Sequence, residues 1–77
     1  MKTYGRVITD AQIQAGLERM QGIFRASDIT WALIMAGVQQ NKFVADRSAD
    51  KLLQRERRAG RIRTTTNKRY WERTDAP

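Results

Sequence analysis

The chain has 77 residues, no cysteine and no histidine, and a formal charge of +7 from 15 Lys and Arg against 8 Asp and Glu. A chain of this length makes one domain that buries only roughly 60–65% of its unfolded surface, so its core must be compact and helix-rich. The missing residue types exclude disulfides, thiolate or histidine metal sites and histidine-based acid–base catalysis.

The placement of the charge says more than its size. Residues 1–50 hold six basic and five acidic groups, whereas residues 51–73 hold nine basic and two acidic. An excess confined to the last third favours a polyanionic partner such as nucleic acid, against the bland alternative of a merely solvated basic face. The longest apolar run, Trp31 to Val38, is far short of the roughly 20 residues a spanning helix needs, and MKTYGR precedes no signal-like apolar core. The expectation is a cytoplasmic protein with no membrane association.

Residues 1–8 carry little pattern beyond the apolar pair Val7 and Ile8, which fits either a flexible arm or an edge strand. Thr9 opens a helix, because T-D-A-Q sets a hydroxyl at the N-cap and Gln12 three residues on, where each side chain satisfies the other's free backbone N–H. Ile13, Gly16, Leu17 and Met20 share its inner face, Gly16 allows close approach of a neighbour, and Gly22 supplies a left-handed stop. Ile23, Phe24 and Arg25 suit one short strand of a small mixed sheet. Ser27 is read as the N-cap of a second helix over 28–36, closed by Gly37.

That second helix is apolar on two sides, with Ile29, Ala32, Leu33 and Ala36 on one and Trp31, Ile34 and Met35 on the other. Its second side must be covered by the N-terminal arm, by the C-terminal hairpin or by another copy of the chain; a homodimer through Trp31, Ile34 and Met35 is the intermolecular option. In the connector that follows, Val38, Phe43 and Val44 are expected to anchor to the core, and Gln39, Gln40, Asn41 and Lys42 to face water.

The next stretch, DRSADKLLQRERRAG, reads as a helix capped by Asp46, with Val44 or Ala45 as earlier starts, and ended by Gly60. At 3.6 residues per turn Ala49, Leu52 and Leu53 fall on one side, and Arg47, Lys51, Gln54, Arg55 and Arg58 gather on the other. Behind it, RIRTTTNKRYWERT alternates β-branched, aromatic and basic residues about Thr66, Asn67 and Lys68, the pattern of a basic hairpin with Ile62 and one of Tyr70 or Trp71 turned inward. Residues 74–77 are read as a flexible tail.

With SDITWALIMAG as second helix, ADRSADKLLQRERRAGRI as third helix and first hairpin strand, and KRYW as the return, the chain resembles the winged helix-turn-helix family of DNA-binding domains over 9–73. The resemblance implies an α+β fold of three helices with a C-terminal β-hairpin wing, and sequence-specific binding of double-stranded DNA by a small prokaryotic or phage transcription regulator, or by an excisionase-like architectural factor. It places base readers at Arg47, Ser48 and Lys51, flanked by Gln54 and Arg55, and backbone contacts at Arg58, Arg63, Lys68 and Arg69, with Asn67 at the wing tip. One residue departs from the family pattern: Glu56 stands where a core leucine is usual, so its carboxylate must pair, as with an arginine, or reach solvent at the rim.

Other chemistries fit less well. Asp46 and Asp50 lie four apart with no third ligand near, so no metal is expected, and no nucleophile stands beside a recognisable base, so neither an enzyme nor a cofactor is expected. Trp31, Tyr70 and Trp71 would suit single-strand stacking, but in so small a domain they are more readily core. The main alternative is a protein-interaction module docking through the outer side of the second helix.

Overall fold

A computed structural model describes residues 1–40 and 43–74. In chain order the elements are β1 (Lys2–Thr3), β2 (Arg6–Val7), α1 (Asp10–Arg19), β3 (Ile23–Phe24), α2 (Ala26–Met35), α3 (Val44–Arg58), β4 (Ile62–Thr64) and β5 (Trp71–Arg73). This is a small α+β domain with three helices and two small antiparallel sheets, one of β1 and β2 and one ordered β3-β5-β4.

The expected capping box starts α1: Thr9 Oγ1 accepts from the Gln12 amide at 3.1 Å, and Gln12 Oε1 accepts from the Thr9 amide at 3.0 Å. Gly16 is where the three helices meet, because a Cβ there would stand 3.2 Å from both Leu33 Cδ2 and Leu52 Cδ1. Helix α2 begins earlier than its residue types imply. Its N-cap is Arg25, whose amide donates to Asp28 Oδ2 at 2.8 Å, and Ser27 lies inside the first turn. The carboxylate three residues on thus performs half of a capping box without a hydroxyl at the cap. At its other end the Val38 amide donates to the Leu33 carbonyl and the Gly37 amide to that of Ile34, a Schellman closure through left-handed Gly37 at φ +100°.

Helix α3 starts at Val44, so Asp46 is not its cap but an acidic residue in the first turn, favourable to the helix dipole. The N-cap is Phe43, in the left-handed conformation at φ 60°. Its ring is 71% exposed, so Phe43 does not anchor the connector; Val38 and Val44 do. Asn41 and Lys42 lie outside the described residues.

The residues expected to be arm or edge strand form a hairpin. Tyr4 and Gly5 both have positive φ, 50° and 78°, the combination required by the tight two-residue turn whose twist matches paired strands. Inside, Thr3 is fully buried and Ile8 nearly so. The hairpin packs on α3, where Ser48 Oγ donates to Thr3 Oγ1 at 2.9 Å.

In the larger sheet, Phe24 pairs with Trp71 and Trp71 with Thr64, while Ile23, Glu72 and Arg63 form the next row. Alternation puts the first row on the same face as Ile62: Phe24 and Ile62 are buried and Trp71 packs against the core, whereas Thr64 at the sheet edge and Ile23 on the other face stay exposed. Thr74, assigned to the tail by sequence, donates from its amide to the Arg61 carbonyl at 2.8 Å; residues 75–77 lie outside the described residues.

Among the described residues most of the outer side of α2 is left uncovered. Trp31 is 58% and Met35 82% exposed, while Ile34 is partly buried against the core. Trp31 and Ile34 border a shallow apolar groove with Phe43 and Ala45.

Candidate nucleic-acid interface

Helix α3 divides cleanly. Val44, Ala45, Ser48, Ala49, Leu52, Leu53 and Glu56 are buried. On the outer face Arg47, Lys51, Gln54, Arg55 and Arg58 border a single shallow groove together with Asp50. Five of the residues singled out from sequence are therefore brought together on one surface.

Ser48, expected among the base readers, is the exception on this helix: it is fully buried under the N-terminal hairpin and has no face to offer a ligand. The sign was present in the spacing, since Ser48 stands one turn after Val44 and one before Leu52, in an apolar row.

The remaining stripe residues differ in how free they are. Arg47 Nη1 holds Asp50 Oδ2 at 2.7 Å. Lys51 Nζ donates to the Lys2 carbonyl at 2.5 Å, which fixes the ammonium beside the N-terminal hairpin. Gln54 Oε1 accepts from Arg57 Nε at 3.0 Å; Arg57 is an exposed cation that the sequence reading left out because it lies at the edge of the basic face. Arg55 leans toward Glu56 at 3.7 Å, and Arg58 makes no ion pair among the described residues.

Glu56 is paired as expected. Its Oε2 meets Arg61 Nη1 at 3.0 Å, with a carboxylate side chain only 5% exposed. The cause is the helix end: the Gly60 amide donates to the Arg57 carbonyl and the Arg61 amide to that of Glu56, a second Schellman closure. That motif brings the residue two past the cap against the one three before it, normally as an apolar contact. Here the same geometry joins Arg61 to Glu56 as an ion pair. Among the described residues every buried side-chain nitrogen or oxygen has a hydrogen-bond partner.

On the C-terminal hairpin, Arg63 Nε donates to Glu72 Oε1 at 2.6 Å across the strands. Asn67 shapes the tip: its Oδ1 accepts from the Arg69 amide at 3.1 Å, and its carbonyl accepts from the Tyr70 amide and the Thr65 hydroxyl. Asn67 is thus a turn-former as well as an exposed group. Lys68 and Arg69 are exposed and without ion-pair partners among the described residues.

The arrangement offers a polyanion fixed guanidinium and ammonium donors on a rigid helix and further donors on a hairpin. Among the described residues no cluster of His, Cys, Asp or Glu could hold a metal ion, and no helix is long and apolar enough to cross a membrane. Comparison of the chain with protein-family models, with curated proteins and with solved structures gave no match.

Proposed function

We propose that this domain is a winged helix-turn-helix that binds double-stranded DNA, with α3 in the major groove and the β4–β5 hairpin on the backbone, as a small prokaryotic or phage transcription regulator. The observation that carries the reading is the outer face of α3, where Arg47, Lys51, Gln54, Arg55 and Arg58 share one surface of a helix whose other face is core. Support also comes from connectivity. The order helix, strand, helix, helix, hairpin, with β3 joining the hairpin in the sheet order β3-β5-β4, is compatible with that fold.

A helix of roughly 10–12 Å diameter fits a major groove roughly 12 Å wide, so the stripe would face base edges while flanking cations met phosphates. Arginine suits guanine and glutamine adenine, which makes Arg47, Gln54 and Arg55 the base-reading candidates. Arg58, Arg63, Lys68 and Arg69 would position the domain without reading sequence. The same contacts would serve an architectural factor of the excisionase kind.

A second reading is favoured by Trp31, Met35 and Phe43, three large exposed apolar side chains on or beside α2. They would suit a docking or homodimer surface. One titration separates the readings: amide shifts of labelled protein with a random-sequence duplex at low and moderate salt. The DNA reading requires shifts at Arg47–Arg58 and Arg63–Arg69 that weaken with salt, with loss on changing Arg55 or Arg58 to Ala. No shifts at low salt would sink it. The docking reading requires a partner or self-association lost on changing Trp31 or Met35, and a monomer at high concentration in sedimentation would remove the dimer.

A further inference from the structure

The N-terminal hairpin has no place in the scheme above, yet it lies against the candidate DNA-binding helix. Its strand β1 is fixed to α3 by the buried Thr3–Ser48 hydroxyl pair and by Lys51 reaching the Lys2 carbonyl. Ser48 lies roughly a quarter turn about the helix axis from Arg47 and Arg58, so the hairpin forms a wall along one side of the basic stripe.

Five arginines, Arg19, Arg47, Arg55, Arg61 and Arg63, each stand within 4.0 Å of a carboxylate, whereas exposed Lys2 and Arg6 make no ion pair among the described residues. Arg6 pairs with Thr3 across the hairpin, and directly paired residues share a face, so Arg6 emerges on the side turned to α3. Tyr4, 65% exposed, carries a phenolic hydroxyl at the turn.

From this placement we infer that the hairpin is a second wing: Arg6 contacts the sugar–phosphate wall of the groove that receives α3, while Lys2, paired with Val7 on the opposite face of the hairpin, adds its charge at the outer edge. The inference rests on the DNA reading and deepens it. The geometric reason is that a helix nearly fills the groove, so an element flush against its side meets the phosphate wall rather than the bases. The ligand is the duplex backbone, recognised by charge and not by sequence. Lys51 then acts as a positioning residue as well as a stripe residue, because its bond to the Lys2 carbonyl sets the distance between wall and helix.

The experiment measures affinity for a fixed random-sequence duplex by fluorescence anisotropy between low and moderate salt. The proteins are wild type, Lys2→Ala, Arg6→Ala, the double variant K2A/R6A, the stripe and wing variants Arg58→Ala and Lys68→Ala, and Arg19→Ala as a control that removes one charge from α1. Circular dichroism establishes that each variant is folded, as expected for exposed side chains. Arg6→Ala should weaken binding about 3- to 10-fold at low salt and lower the salt slope by about 0.9, Lys2→Ala should do less, the double variant should do at least as much as Arg6→Ala, and Arg19→Ala should do neither. Wild-type affinity and slope in K2A/R6A, with loss in Arg58→Ala and Lys68→Ala, would overturn the second wing and leave the DNA reading intact. Equal losses in Arg19→Ala and the hairpin variants would overturn it as well, since net charge alone would explain them. No binding by wild type at low salt would overturn both.

Discussion

Exchanging Glu56 for leucine should leave the fold intact or strengthen it, and removing its partner Arg61 should weaken it. The carboxylate side chain is 5% exposed and the Arg61 side chain 46%, so the burden of the pair falls on the acid. Breaking a fully buried pair costs about 3–5 kcal/mol and an exposed one about 0–1 kcal/mol. With the cation half in water and Arg55 still 3.7 Å away, Arg61→Ala is expected to cost about 1–3 kcal/mol. At about 4–8 °C per kcal/mol for a domain of this size, the melting temperature should fall by roughly 10 °C. Glu56→Leu removes the buried charge and adds apolar burial beside Leu52 and Leu53, so its effect should lie between neutral and about 2 kcal/mol of stabilisation. Urea denaturation of the four proteins of the double-mutant cycle checks the reasoning, with Arg58→Ala as a control for the general relief of positive charge. In the Glu56→Leu background Arg61→Ala should cost almost nothing, giving a coupling of at least about 1 kcal/mol. A cost for Arg61→Ala that is the same in both backgrounds, or no larger than that of Arg58→Ala, would refute the assignment.

Two further stability predictions use the same assay. Ser48→Ala should lower stability by about 1–2 kcal/mol by stranding the buried Thr3 hydroxyl, and the double variant Thr3→Val with Ser48→Ala should be less destabilised than the single one, because neither polar group is then left unmatched. Phe43→Asn should raise stability by about 0.5–1 kcal/mol, since asparagine tolerates the left-handed conformation better than phenylalanine and the exposed ring gives up little packing; a fall in the urea midpoint would show that the ring has a packing role.

Legibility in the sequence follows how local the determining interactions are. The α1 capping box, the Gly37 and Gly60 closures, the inward Ile62 and the pairing of Glu56 are each decided within about six residues, and each could be read from residue type and spacing. The start of α2 was misplaced because Ser27 is a better cap by type than Arg25, while the carboxylate that caps the helix in fact stands at Asp28. The N-terminal hairpin was illegible for a similar reason: Tyr4 is a poor match to the asparagine or aspartate usual at a positive-φ turn position. What stabilises it is tertiary, a hydroxyl pair between residues 45 apart in the chain. Ser48 was misassigned with it, because a polar residue in an apolar row declares its burial only once its partner is known.

The candidate surface raises a question of specificity that charge counting hides. Three of its cations already stand beside carboxylates: Arg55 leans toward buried Glu56, while Arg47 with Asp50 on the helix and Arg63 with Glu72 on the hairpin form pairs open to solvent on at least one side. An exposed pair is worth little, so a phosphate can displace the carboxylate at small cost, but the displaced acid then lies close to the polyanion and repels it. On the DNA reading Asp50 and Glu72 would therefore weaken binding to any backbone, whereas Lys2, Arg6, Arg58, Lys68 and Arg69, without ion-pair partners among the described residues, would attract it. On the DNA reading this separates the tasks. The unpaired cations at the edges supply most of the salt-dependent affinity, and Arg47 leaves Asp50 with net gain only where a base edge offers it two acceptors in the right geometry. The internal pair thus raises the contrast between a matching and a mismatched site even as it lowers the total strength of binding.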